Sequence, residues 1–316
     1  MRHCQPILLA IPLLLGMGCA QNAANTNAAA ERDKSMFDTL INIIDRSDEV
    51  LAAKVTGSQP VTVDGLKFVR ASADVVEVFK GQPPKTINYD VEFANKETPQ
   101  TKEGKTYILF IKNNNGRRLL EEMSNPVGVV PEKQEKYFQL IRDYVAVAPE
   151  SAKDHRKAHL LKVLDSGIPF FVEDAAKTAL LIEDWTPAEL EKIKILLAPN
   201  PPKPMIEGNP RDNLVALLIG KGTATQALAQ ARMEFKHNNP DAVYYGLDRR
   251  KNPDVDHLLA SFLKDAEPSI RLGALRVTGL LRKGNILDQF EQQNKQTMDE
   301  NTRSALAEAR KLVGRD

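Results

Sequence analysis

The chain has 316 residues, and its 43 basic and 42 acidic side chains nearly cancel. It therefore lacks the overall basic field of a nucleic-acid-binding protein, and we expect no nucleic-acid partner. A single Trp among few aromatic residues leaves no obvious platform for stacking sugars. A chain of this length can bury a large core and is expected to form two domains.

Residues 1–19 have the pattern of a bacterial export signal. An apolar stretch that is too short to span a bilayer ends in the letters GMGCA. This end resembles a lipoprotein cleavage box, which implies that Cys19 is acylated and anchors the protein in the cell envelope, facing the periplasm or the exterior. Leu15 stands one place earlier than the box usually has it. Cleavage after Ala20, which gives a secreted soluble protein, therefore stays open.

Residues 20–35 are rich in Ala and Asn and show no apolar periodicity, which predicts a flexible tether. About 15 extended residues reach about 50 Å, enough to hold a folded body clear of a membrane surface. Cys4 is removed with the signal and Cys19 is acylated or also lost. The mature chain is therefore expected to have no disulfide of its own.

Residues 36–130 are predicted to form a β domain that begins with a helix. Phe37, Leu40, Ile41 and Ile44 have the spacing of one helical face. Segments rich in Val, Ile, Tyr and Phe follow, and Gly, Pro or Asn bounds most of them, which predicts strands. The predicted strands are 49–56, 66–79, 86–93, 106–112 and 117–123. Five such strands suggest a small Greek-key barrel.

Three segments of this region resemble the secreted OB-like domain shared by netrins and tissue inhibitors of metalloproteinases: SDEVLAAKVTG, ASADVVEVFKGQPP and KEGKTYILFIK. Residues 75–81 and 104–111 carry the match, which implies an OB-like barrel. The inhibitors of that family chelate zinc with a free N-terminal Cys that disulfides lock in place. No Cys lies within the present domain, so the resemblance does not extend to the inhibitory activity.

Residues 131–316 show helical spacing of apolar side chains. Three Asn-Pro pairs, at 209–210, 239–240 and 252–253, predict helix starts with a capping Asn and Pro at the first helical position. Thr186 begins a predicted capping box. Because short amphipathic helices cannot bury their apolar faces singly, these helices are expected to stack.

The helical half resembles HEAT-repeat proteins, most clearly over residues 254–282. Asp265 and Arg271 match the family's Asp and Arg, which implies that the two bond at the joint between adjacent units. Residues 286–313 repeat this plan with Arg303. The predicted fold is therefore α+β and multidomain, with a small OB-like barrel followed by an all-α HEAT-like solenoid.

Tyr244, Tyr245, Arg249 and Arg250 form the most promising contact patch, since Tyr and Arg are favoured at the centres of interfaces. The alternative is that one Tyr belongs to the core and that the cations merely end a helix, where positive charge is favoured. Trp185, just before a helix cap, is either a partner contact or, as its large buried area favours, a packing residue.

His155 and His159 lie one helical turn apart and could share a metal ion. The sequence offers neither HExxH nor a Cys cluster, and the cations Arg156 and Lys157 oppose metal binding, so we expect a solvated helix face. A phosphate-binding Gly loop, a nucleophile elbow and a catalytic Cys are also missing from the sequence. We therefore expect no metal, no cofactor and no enzymatic activity.

These features together predict a membrane-anchored, non-enzymatic interaction or scaffold protein of the bacterial cell envelope. Its helical repeats are expected to bind a protein or peptide partner, and acylated Cys19 to hold it on the membrane. Two alternatives stay open. One is a small-ligand or glycan-binding module that uses the barrel, and the other is an enzyme with an unrecognised site.

We expect Cys19→Ser to release the protein from membranes, because acyl chains supply about 0.8 kcal/mol of binding free energy per buried methylene. Fractionation of cells that express the wild type and the variant measures this release. A mature wild-type N-terminus at Gln21 would contradict the prediction, since it would mean that the peptidase removes Cys19.

Overall fold

The structure, a computed structural model, describes residues 39–92, 102–121, 135–198, 206–250 and 254–314. Within these ranges the chain is α+β, with a mixed five-stranded sheet first and a helical part after it. Cys19, the predicted signal and tether, Phe37 and the boundary predicted near residue 130 lie outside the described residues. The division into two domains therefore stays a prediction.

The elements are numbered here in chain order. The first helix and the strands are α1 (Leu40–Arg46), β1 (Glu49–Val63), β2 (Leu66–Lys80), β3 (Thr86–Glu92), β4 (Thr106–Asn114) and β5 (Arg117–Leu120). The later helices are α2 (Glu135–Val147), α3 (Lys153–Leu164), α4 (Pro169–Leu181), α5 (Pro187–Leu197), α6 (Gly208–Lys221), α7 (Ala224–Lys236), α8 (Pro240–Asp248), α9 (Asp254–Leu263), α10 (Pro268–Leu280), α11 (Gly284–Asn294) and α12 (Glu300–Val313).

The strands pair in the order β1-β2-β3-β5-β4, and β4 pairs in turn with β1. The neighbours are antiparallel except β3 and β5, which meet in parallel at Asp90 and Leu119. Alternate side chains point to one face and form a core of their own. Its largest members are Leu51, Ile87, Tyr89, Tyr107 and Leu109. The carboxylate of Glu49 joins this face and accepts two hydrogen bonds from Arg118, at 2.8 and 3.0 Å.

Strand β1 runs seven residues beyond its predicted end at Thr56. The extension exists because Asp64 and Gly65, both at positive φ, make a two-residue turn that continues the pairing with β2. Strand β4 pairs with β1 only as far as Lys54, so the extension has an edge without a partner in the described pairing. Pro60 lies in this extension and has no N–H to offer another strand.

The opposite face of β1 and β4 is covered by helices. Val50, Ala52, Ile108 and Phe110 share one apolar core with α1, α2 and the helices up to α6. Strand β2 also touches α2, where the Phe79 and Phe138 rings meet edge to face. The outer face of β2, β3 and β5 is not part of this core, and it carries the polar cluster described in the next section.

The later helices pack in two rows. In one row α4, α6, α8, α10 and α12 each contact the next, and each packs against the helix that precedes it in the chain. Two close approaches in this row depend on small residues. A Cβ on Gly246 would lie 2.6 Å from the Ile219 Cβ, and one on Gly279 would lie 2.8 Å from the Ala309 Cα.

The structure confirms some of the predicted helix starts and contradicts one. The Thr186 capping box is confirmed, with both of its hydrogen bonds present. Asn239 is the N-cap residue of α8 and Pro240 follows it, but the Asn239 side chain bonds Asp212 and Glu234 rather than its own helix. The prediction for Asn209 is wrong. Helix α6 already begins at Gly208, and Pro210 fits inside its first turn, where amides have no helical partner. Asn252 lies outside the described residues.

We expect Gly246→Ala to destabilise the protein by about 1–2 kcal/mol. The new methyl overlaps Ile219, and this overpacking outweighs the gain of about 1 kcal/mol in helix propensity. The free energy of unfolding in denaturant measures the loss. Gly57→Ala is the matched control, because no atom lies within 4 Å of the added Cβ. Equal stability of the two variants would contradict the close approach of α6 and α8.

Candidate functional site

The predicted contact patch is divided between core and surface. Tyr245 is 54% exposed, whereas Tyr244 is half-buried against the apolar core of the later helices. Their ring centroids are 5.3 Å apart. The Arg249 guanidinium donates a 3.2 Å hydrogen bond to the Tyr245 carbonyl, and the residue is half-buried. Tyr245 is therefore the most accessible residue of the patch.

Arg250 is not an exposed contact residue, because its guanidinium bonds the backbone of a neighbouring helix. Its Nη1 donates to the carbonyls of Ile219 and Gly222, each at 2.8 Å, and so caps the C-terminal end of α6. Its Nη2 lies 3.5 Å from the Asp254 carboxylate. Arg250 at the end of α8 thus caps the end of α6. This agrees in part with the alternative interpretation, in which the cations serve helix ends rather than a partner.

Trp185 is buried, which corrects its place among the candidate contacts. Its indole N–H donates a 2.9 Å hydrogen bond to the Ala179 carbonyl, and the Lys157 ammonium lies 5.9 Å from the ring centroid. Both ends of the side chain are therefore engaged within the protein, and Trp185 acts in packing.

Asp265 and Arg271 bond to each other, but not as predicted. The Arg271 Nη1 donates to the carbonyls of Asp265 and Ala266, each at 2.8 Å. The Asp265 carboxylate instead pairs with Arg232 of α7 at 2.9 Å and accepts from the Glu267 amide. The link between helical units thus comes from a residue 33 positions earlier, which local spacing could not indicate.

Arg303 is exposed and has no ion-pair partner among the described residues. The neighbouring unit is linked by a pair that the sequence analysis missed. The Glu234 carboxylate of α7 is fully buried and accepts two hydrogen bonds from Arg211 of α6, at 2.8 and 2.7 Å. Gln230 and Asn239 donate to the same carboxylate. Of the residues around Glu234, only Asn239 had been singled out from the sequence, as a capping residue before a Pro.

The prediction of a solvated helix face is wrong for His159. His155 is exposed, whereas His159 is buried with its ring edge-to-face on Tyr144, 4.4 Å between centroids. The His159 Nε2 has no hydrogen-bond partner, and burial lowers the pKa of this imidazole to about 4. The described part of the chain contains no group of three His, Cys, Asp or Glu side chains arranged to hold a metal ion.

Asp174 is the strongest perturbed acid of the helical part. Its carboxylate accepts a 2.7 Å hydrogen bond from the Leu40 amide and a 2.9 Å bond from the Tyr144 hydroxyl. Burial raises its pKa to about 6, although both hydrogen bonds act in the opposite direction. The side chain therefore joins α1, α2 and α4, and its partners are structural groups.

An arginine cluster lies on the free outer face of β2, β3 and β5. Arg70 grips the buried Asp90 carboxylate with two hydrogen bonds, at 2.7 and 2.9 Å, and Arg117 bonds the same carboxylate. The Arg117 guanidinium also lies 4.0 Å above the Phe68 ring. The hydrogen bonds to Arg70 and Arg117 hold the pKa of Asp90 below its usual value. The sequence analysis missed this cluster because its residues are distant in the chain and only the pairing register of β2, β3 and β5 brings them together.

Two further concave surfaces lie among the helices. One, of about 550 Å³, is lined by residues of α3 to α6, and its rim includes Ile195, which is 59% exposed. The other, of about 900 Å³, is an open groove between α7, α8, α10 and α12, lined by apolar side chains such as Leu272 and by the charged Arg276 and Glu308.

None of the helices in the described ranges has both the length and the apolar character needed to cross a membrane. No family model, curated protein or solved structure matches the chain. The resemblances to netrin-type and HEAT-repeat domains therefore stay predictions.

The buried pair His159 and Asp174 predicts opposing pH dependences. The lowered pKa of His159 stabilises the fold above about pH 6.5, and this contribution is lost as the pH falls to about 4. The raised pKa of Asp174 stabilises the fold below about pH 3.8, and this contribution is lost as the pH rises to about 6. In the wild type the two slopes largely cancel.

As the pH falls from 6.5 to 4, the free energy of unfolding of Asp174→Asn should therefore decrease by up to about 3 kcal/mol more than that of the wild type. His159→Phe should gain stability relative to the wild type over the same range. Denaturant unfolding at a series of pH values measures both changes. Parallel stability profiles for the three proteins would contradict the assigned shifts.

Proposed function

We propose that this protein is a membrane-anchored, non-enzymatic interaction protein of the bacterial cell envelope. In this proposal an OB-like barrel and a HEAT-like solenoid form its folded body, and the helical part binds a protein or peptide partner. The proposed anchor is the acyl chain on Cys19.

Three features support the architecture. The strand order, with its one parallel contact between β3 and β5, fits a small closed Greek-key barrel. The two rows of helices, in which α4, α6, α8, α10 and α12 each contact the next, fit a solenoid in which each unit covers its neighbour. Ion pairs such as Arg232 with Asp265 cross from one helical unit to another, as in a repeat ladder.

The absence of enzymatic activity is proposed from the roles of the buried polar groups. Asp174 and Glu234 are each engaged by amide, hydroxyl or guanidinium donors of the fold. Catalysis needs an acid, base or nucleophile within reach of substrate, and these side chains are committed to holding helices together.

Tyr245 is the observation that carries the proposed binding function. A tyrosine with more than half its surface exposed, on a helix whose other face is buried, offers a large apolar area with little conformational entropy to lose. Arg249 follows one helical turn later and donates to the Tyr245 carbonyl. Tyr and Arg in this combination are typical of the centre of a protein interface.

Site-specific photo-crosslinking in the native envelope tests the proposal. A photoreactive amino acid at position 245 should give one discrete crosslinked product, and the same amino acid at Met233 should not. Met233 is a suitable control because its side chain is also exposed, on α7. Arg249→Ala should reduce the product at position 245 several-fold. Equal products at both positions would contradict the proposal.

A further inference from the structure

A cleft of about 510 Å³ lies on the sheet, away from Tyr245 and the helical surfaces. Arg70 of β2, Asn88 and Asp90 of β3, and Arg117 and Arg118 of β5 line it, together with the turn between β4 and β5. The guanidinium groups of Arg70 and Arg117 therefore share one concave surface, on the side of β2 and β3 that no described helix covers, whereas the Arg118 side chain extends to the opposite face and bonds Glu49. The volume lies within the range of small-ligand sites.

The guanidinium groups keep unused donors. Arg70 bonds Asp90 through Nε and Nη2, and its Nη1 has no partner among the described residues. Arg117 uses only Nε for Asp90. The Asp90 carboxylate therefore holds both guanidinium groups in place without exhausting their hydrogen-bonding capacity.

Charge favours an anion of low valence. Arg70 and Arg117 are balanced by the single carboxylate of Asp90, which leaves one positive charge in excess. A ligand with a single negative charge neutralises that excess, whereas the resident carboxylate repels the second charge of a phosphate dianion. The two oxygens of a ligand carboxylate can accept charge-assisted hydrogen bonds from the two arginines.

We propose that this cleft binds a carboxylate group, supplied either by an acidic side chain of a peptide or by a small free acid. Arg70 donates through Nη1, and Arg117, stacked on Phe68, adds the second guanidinium on the same face. The Asn88 side chain is already bonded to Ser72, which fixes the wall next to the ligand. This site is independent of the proposed function of the helical part.

The test uses the folded protein and two matched probes, N-acetylglutamate methylamide and its neutral glutamine analogue. The arginine Nε–H resonances are followed by NMR during titration. We expect saturable shifts of the arginine signals, with a dissociation constant on the order of 1 mM or lower, for the glutamate probe only. Glutarate distinguishes a free acid from a peptide carboxylate, and inorganic phosphate tests the charge argument.

Arg117→Gln and Arg70→Gln should each weaken binding about tenfold, the loss expected for a charge-assisted hydrogen bond. Arg276→Gln removes the same charge from an exposed position on α10 and should have no effect. If Arg70→Gln does not fold, the pair Arg70→Gln and Asp90→Asn removes both charges and tests the same fork. Equal binding of the glutamine analogue, tighter binding of phosphate, or no saturable binding of either carboxylate would overturn the proposal.

Discussion

The carboxylate of Asp174 is the buried polar contact that joins the first helix, α1, to the helices that follow the sheet. It accepts the amide of Leu40, the first residue of α1, and so holds the start of α1 on α4. At the other end of α1 the Lys80 ammonium of β2 donates to the carbonyls of Ile44 and Asp45, at 2.7 and 3.0 Å. Helix α1 is therefore held by an acid at its N-terminus and by a cation at its C-terminus, an arrangement that the helix dipole favours. Because Asp174 belongs to α4 and Lys80 belongs to β2, α1 connects the helical part with the sheet.

Arginines that end at backbone carbonyls recur throughout the helical part. Arg156 donates to Val147 and Ala148 behind α2, Arg250 to the end of α6, and Arg271 to the segment between α9 and α10. Helix ends leave carbonyls without partners, and a guanidinium can satisfy two of them at once. This use of arginine explains why a basic run after α8 was a weak guide to a binding surface: the position of Arg250 is set by α6.

The two surfaces proposed to bind partners differ in character. Tyr245 on α8 is an exposed aromatic side chain, whereas the arginine cleft on the sheet is cationic and concave. A protein partner and a carboxylate ligand could occupy them without competing, because one surface belongs to the helices and the other to β2, β3 and β5. The two proposals can therefore fail or succeed separately.

Local sequence indicated the five strands, the helical character of the later chain and the capping box at Thr186, because periodicity and caps act over a few residues. It missed one local signal, the Asp64-Gly65 turn that extends β1. It was wrong for the Asp265 carboxylate, which pairs with Arg232 rather than with Arg271. The sites that carry charge, Asp174 with Leu40 and Asp90 with Arg70 and Arg117, join residues 20 to 134 positions apart. Only the tertiary structure determines such pairs, because burial and strand register decide which charged residues meet. The sequence shows which charged residues exist but not which of them lie side by side.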